Sequence, residues 1–265
     1  MAISVLISCM HQNDTSIVSR SNVRTNAVVV NQCAKDSVEE SSFDFSDGKA
    51  GRLRFISTTE RGLSRSRNMA IRNAADDICL IMDDDETLKD DYAETMSEAY
   101  SQYPEADVII FKLDNSGKEY GLKPKRLGYL GVLKVASWQI SFRRKSIIDN
   151  DIMFDVEMGS GTGHGAGEEN AFLYECLHKG LNIQYVPATI ASLSPGSASQ
   201  WFKGFTPRFF LERGWATKRY MGKTVATLYA LYYAVMKHGM YRQDCPVSTA
   251  IRYMLKGIYD KDALN

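Results

Sequence analysis

Residues Ile78–Leu88 read ICLIMDDDETL. Five mostly apolar residues, Ile78–Met82, run without a spacer into Asp83, Asp84 and Asp85. A short continuous apolar run bounded by polar residues reads as a strand buried on both faces, which is how strands of a parallel sheet look. Three adjacent carboxylates repel one another, so the end of this strand calls for either a bound cation or full exposure to water.

The neighbouring segments fit the same reading. Ile3–Ser8, Ala27–Asn31, Leu53–Ser57 and Ala106–Phe111 are further apolar strand candidates. Helical patterns fall between them at Asp14–Ser21, Ser64–Ala75 and Lys89–Gln102. Strands alternating with helices predict an α/β fold, a Rossmann-like, mostly parallel sheet flanked by helices. Such sheets bind ligands beyond the carboxyl ends of their strands. The triplet lies at one such end. Ser8, Cys9 and Met10 close the first strand, and Asn31, Gln32 and Cys33 the second.

Further along, Asn115–Val135 reads as loop, Val135–Phe142 as a strand, Glu168–Lys179 as a helix stopped by Gly180, and Ile183–Val186 as a short strand. Ser192–Gln200 is rich in Ser, Pro and Gly. The last 60 or so residues read as two or three helices. This divides the 265 residues into a body, 1–200, and a C-terminal helical extension, 201–265.

Composition sharpens the division. Formal net charge is zero, which argues against a general polyanion binder, so no nucleic acid partner is expected. Yet Trp201–Asn265 holds eleven Lys/Arg against four Asp/Glu, a balance of +7, and 13 of the 28 aromatics. Five scattered cysteines show no zinc spacing and read as reduced thiols of a cytoplasmic protein. No signal peptide is expected from MAISVLISC, which enters a strand without a basic segment. The longest uncharged apolar run, Thr224–Met236, has thirteen residues between Lys223 and Lys237, too short to span a bilayer. It is expected to lie on the inner face of a membrane, or to pack on the body or on a second copy in a homodimer.

Three stretches carry candidate chemistry. The triplet suits a hard divalent ion such as Mg²⁺ or Mn²⁺, which takes carboxylate oxygens and leaves positions for phosphates. A solvated acidic turn capping the next helix is the competing reading. RGLSRSRN, Arg61–Asn68, places Ser64 as a helix cap, with Arg65, Arg67 and Asn68 in the first turn. Arginines at a helix N-terminus favour a phosphate or diphosphate, although an ordinary amphipathic helix explains them as well. FDVEMGSGTGHGAG, Phe154–Gly167, is a glycine loop that runs into Glu168 and Glu169. These two carboxylates are either dipole complements of a helix start or a general base held over a substrate. His164 and His178 are weaker candidates as ligands. Trp201 and Lys203 are candidates for a closing loop.

Taken in order, ISVLIS, GLSRSRNMAI, ICLIMDDDE and FDVEMGSGTGHGAGEENAF resemble the family 2 glycosyltransferases with the GT-A fold, and more narrowly those that build bacterial capsular or other surface polysaccharides. The resemblance covers about residues 2–190. It implies an inverting transferase using a nucleotide sugar, a UDP-sugar favoured, with a saccharide or lipid-linked acceptor and Mn²⁺ or Mg²⁺. It implies that Asp85 binds the metal, that Asp84 binds ribose or the metal shell with Asp83 as substitute, and that Ser8 and Met10 line the base pocket. Asn31-Gln32 stands where the family often has Asp-Asp, and Glu169 where the base is usually Asp, with Glu168 beside it. Arg65 and Arg67 would hold the diphosphate. A nucleotide-sugar-binding protein without transferase activity is the alternative. A nucleotidyltransferase ranks lower, because Ser8–Thr15 has neither Gly nor Lys.

Overall fold

Successive residues of the acidic strand enter opposite layers of the protein. Ile78, Leu80 and Met82 belong to one hydrophobic cluster, and Cys79 and Ile81 to another on the far side of the sheet. The same alternation sends Val5 and Ile7 one way and Leu6 the other. Side chains of a strand alternate between faces, so an unbroken apolar run requires cover on both.

The computed structural model describes residues 1–45, 48–116, 121–193 and 204–260. The strands are β1 (Ile3–Met10), β2 (Asn26–Gln32), β3 (Ser37–Asp44), β4 (Ala50–Thr58), β5 (Ile78–Asp83), β6 (Glu86–Leu88), β7 (Val108–Asp114), β8 (Lys125–Leu127), β9 (Ile140–Arg143) and β10 (Ile183–Leu193). The helices are α1 (Ile17–Arg20), α2 (Leu63–Asn73), α3 (Tyr92–Gln102), α4 (Tyr129–Val132), α5 (Arg144–Asp149), α6 (Glu168–His178), α7 (Pro207–Met236), α8 (His238–Tyr241) and α9 (Val247–Tyr259).

Nine strands form the path β3-β4-β2-β1-β5-β9-β7-β10-β6, and β8 pairs with β10. The block β4-β2-β1-β5 is parallel, as is β7 with β10. β9 lies antiparallel between β5 and β7. The parallel block aligns its carboxyl ends: Ser8 pairs with Asp83, Met10 with Gln32, and Gln32 with Thr58. The fold class matches the expectation, a central sheet flanked by helices.

Several details differ from the sequence reading. β3 is an exposed antiparallel edge of sequence SVEESSFD, with no apolar face to betray it. The expected strand Val135–Phe142 shortens to β9, preceded by a 3₁₀ turn at Ser137–Gln139. Asn115–Val135 is not all loop, since it contains β8 and α4. α2 starts at Leu63 after Gly62, and Ser64 caps nothing: its hydroxyl donates to the Met158 carbonyl at 2.7 Å. The Ser/Pro/Gly stretch beyond Leu193, with Trp201 and Lys203, lies outside the described residues.

The tail has its own core of Phe210, Ala226, Ala230, Tyr233, Tyr241, Met254 and neighbours. At Gly214 and Gly257 the backbones of α7 and α9 come into direct contact. A Cβ at Gly214 would collide with the Met254 carbonyl, and one at Gly257 with the Leu211 carbonyl. Backbone cannot yield as a side-chain tip can, so Gly257→Ala is expected to cost about 1–3 kcal/mol by overpacking, read as a lower urea midpoint with an unchanged slope.

Candidate functional site

The parallel block delivers Asp83 to a buried arginine. Arg67, one turn into α2, is 1% exposed. Its Nη2 donates to Asp83 Oδ1 at 2.9 Å and Oδ2 at 3.2 Å, and its Nη1 to Glu168 Oε1 at 3.2 Å. Burial opposes the Arg67 charge, but Asp83 and Glu168 outweigh it and hold the guanidinium firmly ionised. One side chain therefore joins the acidic strand end to the start of α6. Ser137 Oγ adds a hydrogen bond to Asp83 Oδ2 at 3.1 Å.

The glycine loop fits against α2 and fixes where α6 begins. Leu63 N–H donates to the Ser160 carbonyl at 3.0 Å, and Gly159 N–H to that of His164 at 2.9 Å. A Cβ at Gly159 would press on Ser64 Oγ and on the Glu168 carboxyl carbon, at 3.1 and 3.4 Å. Asn68 clasps Phe154 with both ends of its amide, donating to the carbonyl and accepting from the N–H, each at 2.8 Å. Phe154 in turn stacks on Phe172 of α6 at 4.4 Å.

Glu168 is buried, and its Oε2 has no hydrogen-bond partner. Beside it, burial and then the charge of Glu168 push the Glu169 carboxyl well above the usual glutamate range. A carboxylate raised toward neutral pH is matched to accepting a proton from a hydroxyl. Asp84 and Asp85 form the exposed turn after β5. Though both are exposed at the surface, partial desolvation and then Asp83 raise both carboxyls, while Arg20 and the Met10 backbone partly offset this at Asp84. Glu86 is buried, accepts from the Asp83 N–H at 2.9 Å and is raised most by burial, then by Asp83.

The remaining candidates divide between the site and its scaffold. Ser8 lies level with Asp83 and accepts from Ser66 Oγ at 2.9 Å. Met10 is exposed at the strand end. Asn31 uses its whole amide on the Gln12 backbone, and Gln32 Oε1 accepts from Gly62 N–H at 2.8 Å. Arg65 pairs with Glu60 on the surface at 3.2 Å. Among the described residues no three His, Cys, Asp or Glu side chains converge as a ready metal site. His164 instead stacks on Trp215 of α7 with ring centres 3.6 Å apart, and Arg219 covers the same indole at 4.9 Å. Arg219 also pairs with Asp155 at 2.7 Å and Glu157 at 2.8 Å, binding the tail to the glycine loop. His178 pairs with Glu175 at the other end of α6.

The sequence model of glycosyl transferase family 2 matches residues 12–166, which span the acidic turn, α2 and most of the glycine loop. The chain belongs to glycosyl transferase family 2. Its similarity in fold extends over the whole molecule. S. aureus TarS 1-349 superposes with a TM-score of 0.61 at 13% identity, covering 100% of this chain and 83% of that one. TarS 1-349 in complex with UDP-GlcNAc gives 0.60 at 14% identity, over 92% and 74% of the two chains. The complex with UDP gives 0.60 at 13%, over 100% and 83%. Identity this low speaks for the GT-A fold alone. Comparison with curated protein sequences gives no match.

For this family 2 glycosyltransferase, sequence reading left out Ser66, Ser137, Glu86, Trp215 and Arg219. Only Glu86 carried a signal, as the fourth acid of DDDE. The serines act through contacts between segments far apart in the chain, and nothing local marks them.

Proposed function

We propose that this chain is an inverting transferase that moves a sugar from a nucleoside-diphosphate donor, a UDP-sugar favoured, to a hydroxyl of a saccharide or lipid-linked saccharide acceptor. The observation that carries the reading is the Arg67 bridge, which puts the acidic turn and the Glu168–Glu169 pair at one place. Donor complexes of TarS and the four ordered motifs favour the UDP-sugar. Use in bacterial capsule or surface polysaccharide rests on the resemblance of the motifs.

Asp84 and Asp85 fit a divalent cation, Mn²⁺ or Mg²⁺. Their carboxyls are raised by partial desolvation and by the neighbouring Asp83 charge, and a bound cation would offset both. Two carboxylates leave coordination positions for diphosphate oxygens and water, as hard cations at phosphate sites require. When bound, such an ion supplies charge neutralisation at the leaving diphosphate. Arg67 holds Asp83 and Glu168 in place. Glu169 takes the proton of the acceptor hydroxyl. The oxygen attacks the anomeric carbon on the face opposite the diphosphate, one C–O bond forms, and the C–O bond to phosphate breaks. A single displacement inverts the anomeric centre.

A thermal-shift panel of UDP-, GDP-, CMP- and dTDP-sugars with and without Mn²⁺ tests donor class and metal together. A ligand of the folded state raises the melting temperature by mass action. The UDP-sugar is expected to give the largest shift, greater with Mn²⁺. Asp85→Ala is expected to fold normally and to lose the Mn²⁺-dependent part. Equal nucleotide affinity with Mn²⁺ in this variant and in the parent would remove Asp85 as a ligand.

A further inference from the structure

The second half of α7 is built inside out. After the break at Gly222, the face packed into the tail core carries Ala226, Ala230, Ala234 and Tyr233. The face turned outward carries Val225, Leu228, Leu231, Tyr232, Val235 and Met236, with Leu228 63% and Met236 64% exposed. A surface helix normally buries its large apolar residues and exposes small or polar ones. The patch extends to Met240 and, on α4, to Tyr129 and Leu130, all exposed. Between α4, α6 and α7 it deepens into a groove of about 460 Å³ lined by Tyr129, Leu130, Tyr174, Val225, Leu228 and Tyr232. A contiguous apolar surface of this kind marks an interaction site.

Charge decides among the occupants. Residues 213–243 contain six Lys/Arg and no Asp or Glu. Arg213 is committed to Tyr233 and Arg219 to Asp155 and Glu157. Lys223, Lys237 and Arg242 adjoin the patch in the chain, before Val225, after Met236 and after Met240. A second copy docked about a twofold axis would set this cationic segment against itself. An anionic lipid surface would attract it, and apolar helices flanked by Lys and rich in Tyr lie along such interfaces. Among the described residues no helix is long and apolar enough to cross a membrane. We propose that this face lies on an anionic bilayer surface, with the outward residues of α7 in the headgroup–acyl boundary and the groove receiving lipid hydrocarbon. The proposal is independent of the transfer chemistry.

Vesicle flotation tests it on the full chain. The protein is expected to float with phosphatidylcholine–phosphatidylglycerol vesicles at low salt, to be released as salt rises, and to bind phosphatidylcholine alone far more weakly. Leu228→Glu and Val235→Glu, both at exposed positions, are expected to lower partitioning at least about tenfold each. Lys223→Glu should lower only the preference for the anionic lipid. Leu122→Glu, an 87% exposed apolar position off this helix, should change nothing. Melting curves establish that each variant folds. Failure to float with anionic vesicles would overturn the proposal, as would flotation indifferent to both α7 substitutions. So would a dimer in light scattering that Leu228→Glu dissolves, because a second copy would then cover the face.

Discussion

Arg67→Met is expected to lower folding stability by about 3 kcal/mol. Removing one partner of a buried ion pair typically costs about 3–5 kcal/mol, because the charges left behind keep their desolvation penalty. The lower end applies because Asp83 keeps 25% of its side chain exposed, while Glu168 keeps only 8%. Methionine matches the bulk and retains contact with Phe154, over whose ring the guanidinium carbon now sits at 5.4 Å. The loss would therefore be one of charge and hydrogen bonds, not volume. Arg67→Lys should recover little, since a point-like ammonium cannot reproduce the fork that spans two carboxylates. The double variant Arg67→Met/Glu168→Gln should be more stable than Arg67→Met alone, because it no longer buries an unpaired carboxylate. Urea denaturation of the four proteins checks this. A double variant no better than the single would mean that Glu168 is not the group left stranded.

Glu169→Gln is expected to retain donor binding and to lose transfer by roughly 10²–10⁴-fold, the span attributed to general acid–base catalysis. A base acts on the acceptor, so the loss should fall on kcat while donor affinity is unchanged. The pH profile supplies a second reading. Glu169 has its carboxyl raised by burial and by Glu168, so it holds its proton to a higher pH than an ordinary glutamate. As pH rises through that value the base form appears, and the rate should climb on an acidic limb displaced toward neutral pH. Glu168→Gln removes the neighbouring charge and should move the limb to lower pH. If Glu169→Gln turns over normally and Glu168→Gln does not, the base is Glu168, whose Oε2 is buried without a hydrogen-bond partner.

The sequence disclosed what depends on local pattern. The continuous apolar run of β5 announced cover on both faces, and the triplet after it pointed to the candidate site, where Asp83 meets Arg67. The extra glycines of Phe154–Gly167 announced a close approach, which proves to be that of the loop to α2 and Glu168. What stayed hidden depends on partners distant in the chain. Arg67 had the right type and place for a diphosphate at a helix start, yet its guanidinium turns inward to Asp83 and Glu168, 16 and 101 residues away. Asn68 and Gln32, likewise suited to a ligand, hold the backbone of Phe154 and Gly62. Polar residues at a strand or helix end look alike in sequence whether they face a ligand or brace the loop that does. β3 was missed for another reason: an edge strand exposed along most of its length has no apolar period to read.

The interruption of α7 has a stereochemical meaning. Gly222 stands at φ 72° and ψ 164°, and beyond the adjoining backbone nothing lies within 4 Å of where its Cβ would be. Space is therefore not what reserves the position for glycine. That region of backbone is essentially closed to L-residues, at about 1–3 kcal/mol. The restriction is one of handedness: a D-amino acid would enter without strain, whereas every other residue the ribosome can supply is disfavoured. The direction in which the outer helix leaves the glycine-loop anchor is thus encoded by chirality at a single codon.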